Sequence, residues 1–286
     1  RTSFTNLSQD HLDFHSSIDD YFETKKKLFS SGRSKFGIIF SNDWGLKLTK
    51  NLNVDYVTVG FKSSDFATFK VDEQDESSTE GTLFIDQSKY NLRLPISGPG
   101  TVENFLIAIT NTYFSDGNFD DYLVNVSELD LPVGRYQKTI YKNKNVIVDY
   151  AHTPEALREL LLFSKSHYKK VTVVFGCGGN RDPSKREYMG EASEIADSII
   201  LTSDNPRDEN PEKIIETILK GINRKEKVSI IVDRKKAIDH AISNLNIEEE
   251  VLVVAGRGHE LYQEVSGKFI PFSDIGVVEE ALKVYE

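Results

Sequence analysis

The feature that most restricts the fold is an alternation in the second half of the chain. Short, almost continuous apolar runs lie at Val146–Asp149, Val171–Phe175, Ser198–Thr202, Val228–Val232 and Val251–Val254. Stretches of helical periodicity separate them, at Pro154–Ser166, Ser184–Ala196, Pro211–Gly221 and Arg234–Asn244. A strand that is apolar on both sides needs cover on both faces. Helices between successive strands supply that cover and make the strands run parallel. The expected architecture is an α/β, Rossmann-like domain with a mostly parallel sheet. Such sheets place ligand sites beyond the carboxyl ends of their strands, so the residues after each run are the ones to read for function.

The first half reads differently. β-rich runs at Phe36–Phe40, Tyr56–Gly60 and Thr82–Ile85 alternate with polar breaks, and the acidic stretch Asp72–Glu80 is expected to be an exposed hairpin loop. Val102, Phe105, Leu106 and Ile109 have helical spacing over Val102–Tyr113. A boundary is expected near Asp130–Gly134, which gives domains of residues 1–132 and 133–286. The net charge of -10 argues against a broad nucleic-acid or anionic-membrane surface. No run approaches the roughly 20 apolar residues that span a bilayer. Cys177 stands alone, so there is no internal disulfide, and with six scattered His it forms no zinc-type cluster. The chain begins Arg1-Thr2-Ser3-Phe4 with no secretory pattern, and is expected to be the interior of a longer protein.

Unusual residues gather at the strand ends. Asp149-Tyr150-Ala151-His152-Thr153-Pro154 follows the first run, and Asp149 and His152 can both face a ligand from one tight turn. A loop held by Asp149, with Thr153 capping a Pro-started helix, is the alternative. Gly176-Cys177-Gly178-Gly179-Asn180-Arg181-Asp182 follows the second run. Its glycines let backbone approach an anion, but Arg181 stands where a dinucleotide fingerprint needs glycine, and no Gly-Lys-Ser/Thr follows. Arg181 suits a carboxylate, because its planar fork donates two parallel bonds. Asp204-Asn205-Pro206-Arg207 offers an acceptor and a guanidinium, or else a plain turn before a helix. Gly256-Arg257-Gly258-His259-Glu260 ends the series, with Glu260 placed to accept from an ammonium or to favour a helix N-terminus. Arg181 and Arg207 for a carboxylate, with Asp204 and Glu260 for an ammonium, are the complement of a zwitterionic amino acid.

These segments, with Phe4–His15, Lys185-Arg186, Met189-Gly190 and Asp233-Arg234, resemble the Mur ligase family in family order over nearly the whole chain. The resemblance implies a partial central ATPase-type domain followed by a C-terminal domain that binds an amino acid. It also implies a cytoplasmic bacterial ligase of peptidoglycan synthesis. Such a ligase joins meso-diaminopimelate to UDP-N-acetylmuramoyl-L-alanyl-D-glutamate through an acyl phosphate, using ATP and Mg²⁺. His11 resembles a magnesium ligand, and Lys25 the lysine whose carbamate supplies a hard oxygen ligand. Asn104, Arg135, Asp149 and His152 match nucleotide contacts. Arg181, Asp204, Asn205, Pro206, Arg207, Gly256 and Glu260 match the amino-acid pocket. Arg207 in Asp-Asn-Pro-Arg favours diaminopimelate over lysine, which has no distal carboxylate to pair with it. No membrane insertion, nucleic acid or obligate protein partner is implied.

The chain departs from the family pattern at Gly98–Asn104, at Gly134-Arg135-Tyr136-Gln137, at Ser16 and at Arg257, where Lys is frequent. The UDP-binding domain and the Gly-Lys-Thr phosphate loop have no counterpart and are expected upstream, so the chain alone is expected neither to hydrolyse ATP nor to ligate. A lysine-adding relative, a nucleotide-dependent oxidoreductase built on Gly176–Gly179, and a non-catalytic amino-acid-binding module remain the competing readings.

Overall fold

A computed structural model describes residues 1–9, 14–30, 32–115, 117–142, 144–245 and 249–284. His11 lies outside the described residues. The chain divides into two compact units, one built from Arg1–Ser8 and Phe14–Asp130, the other chiefly from Leu131–Glu286.

The first unit holds a sheet in the order β1 (Thr2–Phe4), β2 (Phe36–Phe40), β3 (Asp55–Gly60), β4 (Ala67–Gln74), β5 (Thr79–Ile85) and β6 (Ser88–Leu94). The strands from β1 to β4 pair in parallel, and those from β4 to β6 pair antiparallel. The acidic stretch is less of a loop than its composition suggests. Strand pairing carries β4 to Gln74 and resumes β5 at Thr79, leaving a turn of 75–78 in which Asp75 accepts from the Ser77 and Ser78 amides. The cross-strand ladder overrides the low β-propensity of Asp and Glu here. Helices α1 (Ile18–Lys26), α2 (Asp43–Thr49), α3 (Thr101–Tyr113) and α4 (Phe119–Val124) complete this unit. Val102, Phe105, Leu106 and Ile109 form the buried stripe of α3, as their spacing predicts.

The second unit is a sheet in the order β11 (Val228–Ile230), β10 (Ser198–Leu201), β9 (Lys170–Phe175), β12 (Glu250–Ala255), β8 (Lys144–Asp149) and β7 (Gln137–Tyr141). All neighbours run parallel except β7, which returns antiparallel along β8 at the edge. Successive residues of each strand face opposite cores. Ile147, Val171, Val173, Val251 and Val253 pack under α5 (Pro154–His167), α6 (Lys185–Ser193) and α7 (Pro211–Lys220). Val146, Val148, Val174, Leu252 and Val254 pack under α8 (Arg234–Asn244) and α9 (Asp274–Lys283). This two-sided burial is why the runs read as continuously apolar. Side chains of Thr153, Asn210, Asp233 and Ser273 cap α5, α7, α8 and α9, and Pro opens α5 and α7. No helix among the described residues is long and apolar enough to cross a membrane.

A short antiparallel hairpin, β13 (Tyr262–Val265) and β14 (Lys268–Pro271), follows β12. Beneath the strand ends, Arg234 and Asp274 form a fully buried bidentate pair, with Nε to Oδ1 and Nη2 to Oδ2 both at 2.7 Å. Arg234 Nη2 also donates to the Ala255 carbonyl at 3.0 Å. Burial opposes the charge on Arg234, but attraction to Asp274 outweighs it and holds the guanidinium above its ordinary pKa. Asp274→Ala would strand that charge in the interior. It is expected to cost about 3–5 kcal/mol in urea unfolding of this unit; an unchanged midpoint would contradict the role given to the pair.

Candidate functional site

Loops after β8, β9, β10 and β12 converge on one cleft at the carboxyl ends of the strands, with a volume of about 170 Å³. Arg181, Asp204, Asn205, Arg207, Gly256 and Glu260 all line it, with His152, Tyr150, Asp182 and Lys185. Cations and carboxylates therefore share a small space, as a zwitterion requires.

The glycines work differently from expectation. A Cβ on Gly176 would come 2.2 Å from the Thr202 carbonyl oxygen, and one on Gly179 would come 2.0 Å from that of Pro206. The Gly179 amide donates to the Asn205 carbonyl at 2.8 Å. These glycines let the 176–182 and 202–207 loops press together, and the Gly179 amide is committed to that packing rather than to a phosphate. Pro206 acts in this packing through its carbonyl. Arg186 locks the same loops with a bidentate bond to Glu209, at 2.9 and 2.8 Å, while the Asn180 amide donates to Glu209 Oε1 at 2.5 Å. Gly256, with φ +113°, lets Asp204 approach, since a Cβ there would lie 2.9 Å from Asp204 Oδ2.

Asp204 and Asn205 are buried, and Asp204 Oδ1 accepts from the Asn205 amide at 2.6 Å. Asn205 is the hub of a network. Its Nδ2 donates to Glu260 Oε2 at 2.9 Å, and its Oδ1 accepts from Arg257 Nη1 at 2.8 Å and from the Glu264 amide at 2.9 Å. Arg257 is wholly buried, and its Nη1 lies 3.3 Å from Glu260 Oε2. Arg257 and Arg186 thus brace the cleft, a role that the sequence alone does not give them. Charged residues beside glycine-rich loops were the available signal. Asp182 turns Oδ1 to the Ser184 amide at 2.9 Å, while its Oδ2 is buried without a hydrogen-bond partner among the described residues. Burial pushes the Cys177 thiol up to about 12, so it is an inert packing group.

The two oxygens of Asp149 accept from the Tyr136 and Ala151 amides, each at 2.7 Å, so it builds the loop, as one of the two sequence readings has it. Burial raises its carboxyl above the ordinary value against the pull of those amides. His152, one residue beyond Ala151, does reach the cleft, with Nδ1 2.8 Å from the Tyr150 carbonyl oxygen. The Arg135 guanidinium lies 4.6 Å over the Tyr150 ring. In the first unit, Asn104 is exposed in the first turn of α3. The Lys25 ammonium sits 4.8 Å over Tyr21, whereas Lys26 pairs with Glu23 at 3.0 Å. Among the described residues, no cluster of three His, Cys, Asp or Glu forms a ready-made metal site.

Residues 2–111 match the Mur ligase middle domain, and residues 134–258 match the Mur ligase glutamate ligase domain. The chain belongs to the Mur ligase family. A UDP-N-acetylmuramoyl-L-alanyl-D-glutamate--2,6-diaminopimelate ligase of Aquifex aeolicus is 41% identical, aligned over 98% of this chain and 58% of its own length. The protein of the same name from Rickettsia montanensis is 38% identical, over 98% and 60%. This Mur ligase chain therefore spans about three-fifths of the length of such relatives. A solved structure of a ligase of that name superposes with TM-score 0.60 and 30% identity, covering 99% of this chain and 60% of the other. MurF ligase from Thermotoga maritima, solved in complex with ADP, shares the fold at TM-score 0.71 and 16% identity, over 99% and 62%.

Hydrogen bonds from Arg186 hold the Glu209 carboxyl below the ordinary glutamate range. The stabilisation it brings is intact above the ordinary pKa of roughly 4.3 and fades as pH falls through the depressed folded value. Glu209→Gln is expected to remove this acid-sensitive part. Urea titrations at falling pH should then show the wild type losing stability more steeply than the variant. Parallel pH profiles would contradict the assignment.

Proposed function

We propose that the chain is part of an ATP-dependent ligase that adds meso-diaminopimelate to UDP-N-acetylmuramoyl-L-alanyl-D-glutamate in peptidoglycan synthesis, a cytoplasmic reaction. The observation that carries this reading is the sharing of one cleft by Arg181, Arg207, Asp204, Asn205 and Glu260. Diaminopimelate has two amino-acid centres. One must present a free amine for ligation, and the other is a zwitterion that can be held without reacting. In this reading Arg207 and Arg181 hold the distal carboxylate. Asp204 and Glu260, fixed through Asn205, accept from the distal ammonium. The near amine is thereby aimed out of the cleft.

The chemistry balances as two displacements. A carboxylate oxygen of the muramyl dipeptide takes the γ-phosphoryl group of ATP and releases ADP. The amine then attacks the acyl carbon, phosphate leaves, and the amine loses a proton as the amide forms. Arg135, Tyr150 and His152 are assigned to the nucleotide side, and Asn104 to adenine. Magnesium would supply neutralisation of phosphate oxygens, held by His11 and by the carbamate of Lys25. The position of the Lys25 amine over an aromatic ring, beside a Lys26 that is already ion-paired, fits a lysine kept apart for that modification.

L-Lysine would fill the same cleft without a distal carboxylate and so forgo the charge-assisted hydrogen bonds that Arg207 can offer one, worth roughly 1.5–3 kcal/mol. With the intact parent protein, phosphate release is expected to favour meso-diaminopimelate over L-lysine, and Arg207→Ala is expected to abolish most of that preference. A wild-type preference for lysine, or a preference that survives Arg207→Ala, would overturn the reading.

A further inference from the structure

Arg207 occupies an unfavourable backbone conformation, and a separate element holds it there. Its φ is +51°, a left-handed value that is rare for a long side chain. Two backbone bonds to the β13–β14 hairpin stabilise it. The Arg207 amide donates to the Glu264 carbonyl at 3.0 Å, and the Ser266 amide donates to the Arg207 carbonyl at 2.7 Å. The side chain is gripped by the same hairpin residue, because Arg207 Nε donates to Glu264 Oε2 at 2.8 Å. Nη1 donates to the Gly179 carbonyl at 2.7 Å. Two nitrogens of one planar group, bonded to two different loops, fix its orientation at the cleft. The third grip is indirect, since the Glu264 amide also donates to Asn205 Oδ1.

We propose that Glu264 is a positioning residue for amino-acid selection, holding the Arg207 guanidinium in the plane that receives a ligand carboxylate. This rests on the reading of the cleft as the amino-acid pocket. The hairpin is a two-stranded ribbon whose outer strand β14 is exposed, with Tyr262, Phe269 and Ile270 largely uncovered, and such a ribbon has little stability of its own. Its bonds to Arg207 and Asn205 give it a reason to be ordered. The carboxylate of Glu264 also balances the Arg207 charge before substrate arrives, so that an arriving carboxylate meets an oriented donor instead of a mobile side chain. Nothing in the sequence around Tyr262–Pro271 points to this, because the partner lies 57 residues away.

The test is a double-mutant cycle in the intact parent ligase, with Glu264→Gln, Glu264→Ala, Arg207→Ala and the paired variants. Steady-state constants are measured separately for the amino acid and for ATP. Glu264→Ala is expected to raise KM for meso-diaminopimelate by roughly tenfold, with KM for ATP and the thermal midpoint little changed. Glu264→Gln, which keeps an oxygen for Nε, is expected to fall between the two. In the Arg207→Ala background, loss of Glu264 should add nothing. Unchanged KM, a fall in kcat alone, or an effect that persists fully without Arg207 would overturn the proposal. If Glu264→Ala does not fold, the isosteric Glu264→Gln decides by the same criteria. A wild type that prefers L-lysine would sink the substrate assignment; the cycle, run with whichever amino acid is used, would still decide the role of Glu264.

Discussion

The buried pair of Arg234 and Asp274 ties together the segments from which the cleft is made. Arg234 opens α8 and Asp274 opens α9, so their bond joins the two helices that cover one face of the parallel sheet. The same guanidinium reaches the Ala255 carbonyl, at the end of β12, and lies 3.5 Å from that of Ser203, just after β10. Loops that carry Asp204, Asn205 and Glu260 leave from those two points. A pair of this kind adds little net stability over an apolar substitute, because desolvation offsets most of the attraction. Its value lies in fixing where two loop roots stand relative to one another, which an apolar contact would leave looser.

On that foundation the cleft is assembled by loops that approach closely at two glycines. Gly176 and Gly179 remove side chains where backbone from the neighbouring loop must pass. Arg186 with Glu209, and Arg257 with Asn205, then supply charged and polar clamps on either side. The groups that the proposed function turns toward a ligand, Arg207, Asp204 and Glu260, are each held by another residue. This rigidity matters for recognition, since a donor already ordered loses less entropy when its ligand binds.

The parallel sheet of the second unit was legible because a strand buried on both faces has few polar positions. Val251–Val254 has none and Val171–Phe175 only Thr172, and they become the adjacent central strands β12 and β9. Once the sheet was known, the rule that ligands bind beyond its carboxyl ends pointed to Arg181, Asp204 and Glu260, which do share a cleft. Three things were hidden. The acidic turn looked longer than it is, because strand pairing extends β4 and β5 beyond what Asp and Glu favour alone. The glycines looked like a ligand cradle, because sequence cannot tell close approach to a ligand from close approach to another loop. The partners Asp274 and Glu264 were invisible, because each pairs across tens of residues with an arginine whose need for a counter-charge arises only on burial. Asp149 could be read either way, and its geometry favours the loop-building alternative.

The central claim is that this set of paired charges grips the distal zwitterion of a doubly charged amino acid. The most direct measurement is a crystal structure of the intact parent protein with meso-diaminopimelate bound. The distal carboxylate is expected within hydrogen-bonding distance of the Arg207 guanidinium, the distal ammonium against Asp204 and Glu260, and the other amine outside the cleft. Density for the amino acid elsewhere, or in this cleft with its carboxylates turned away from Arg207, would contradict it.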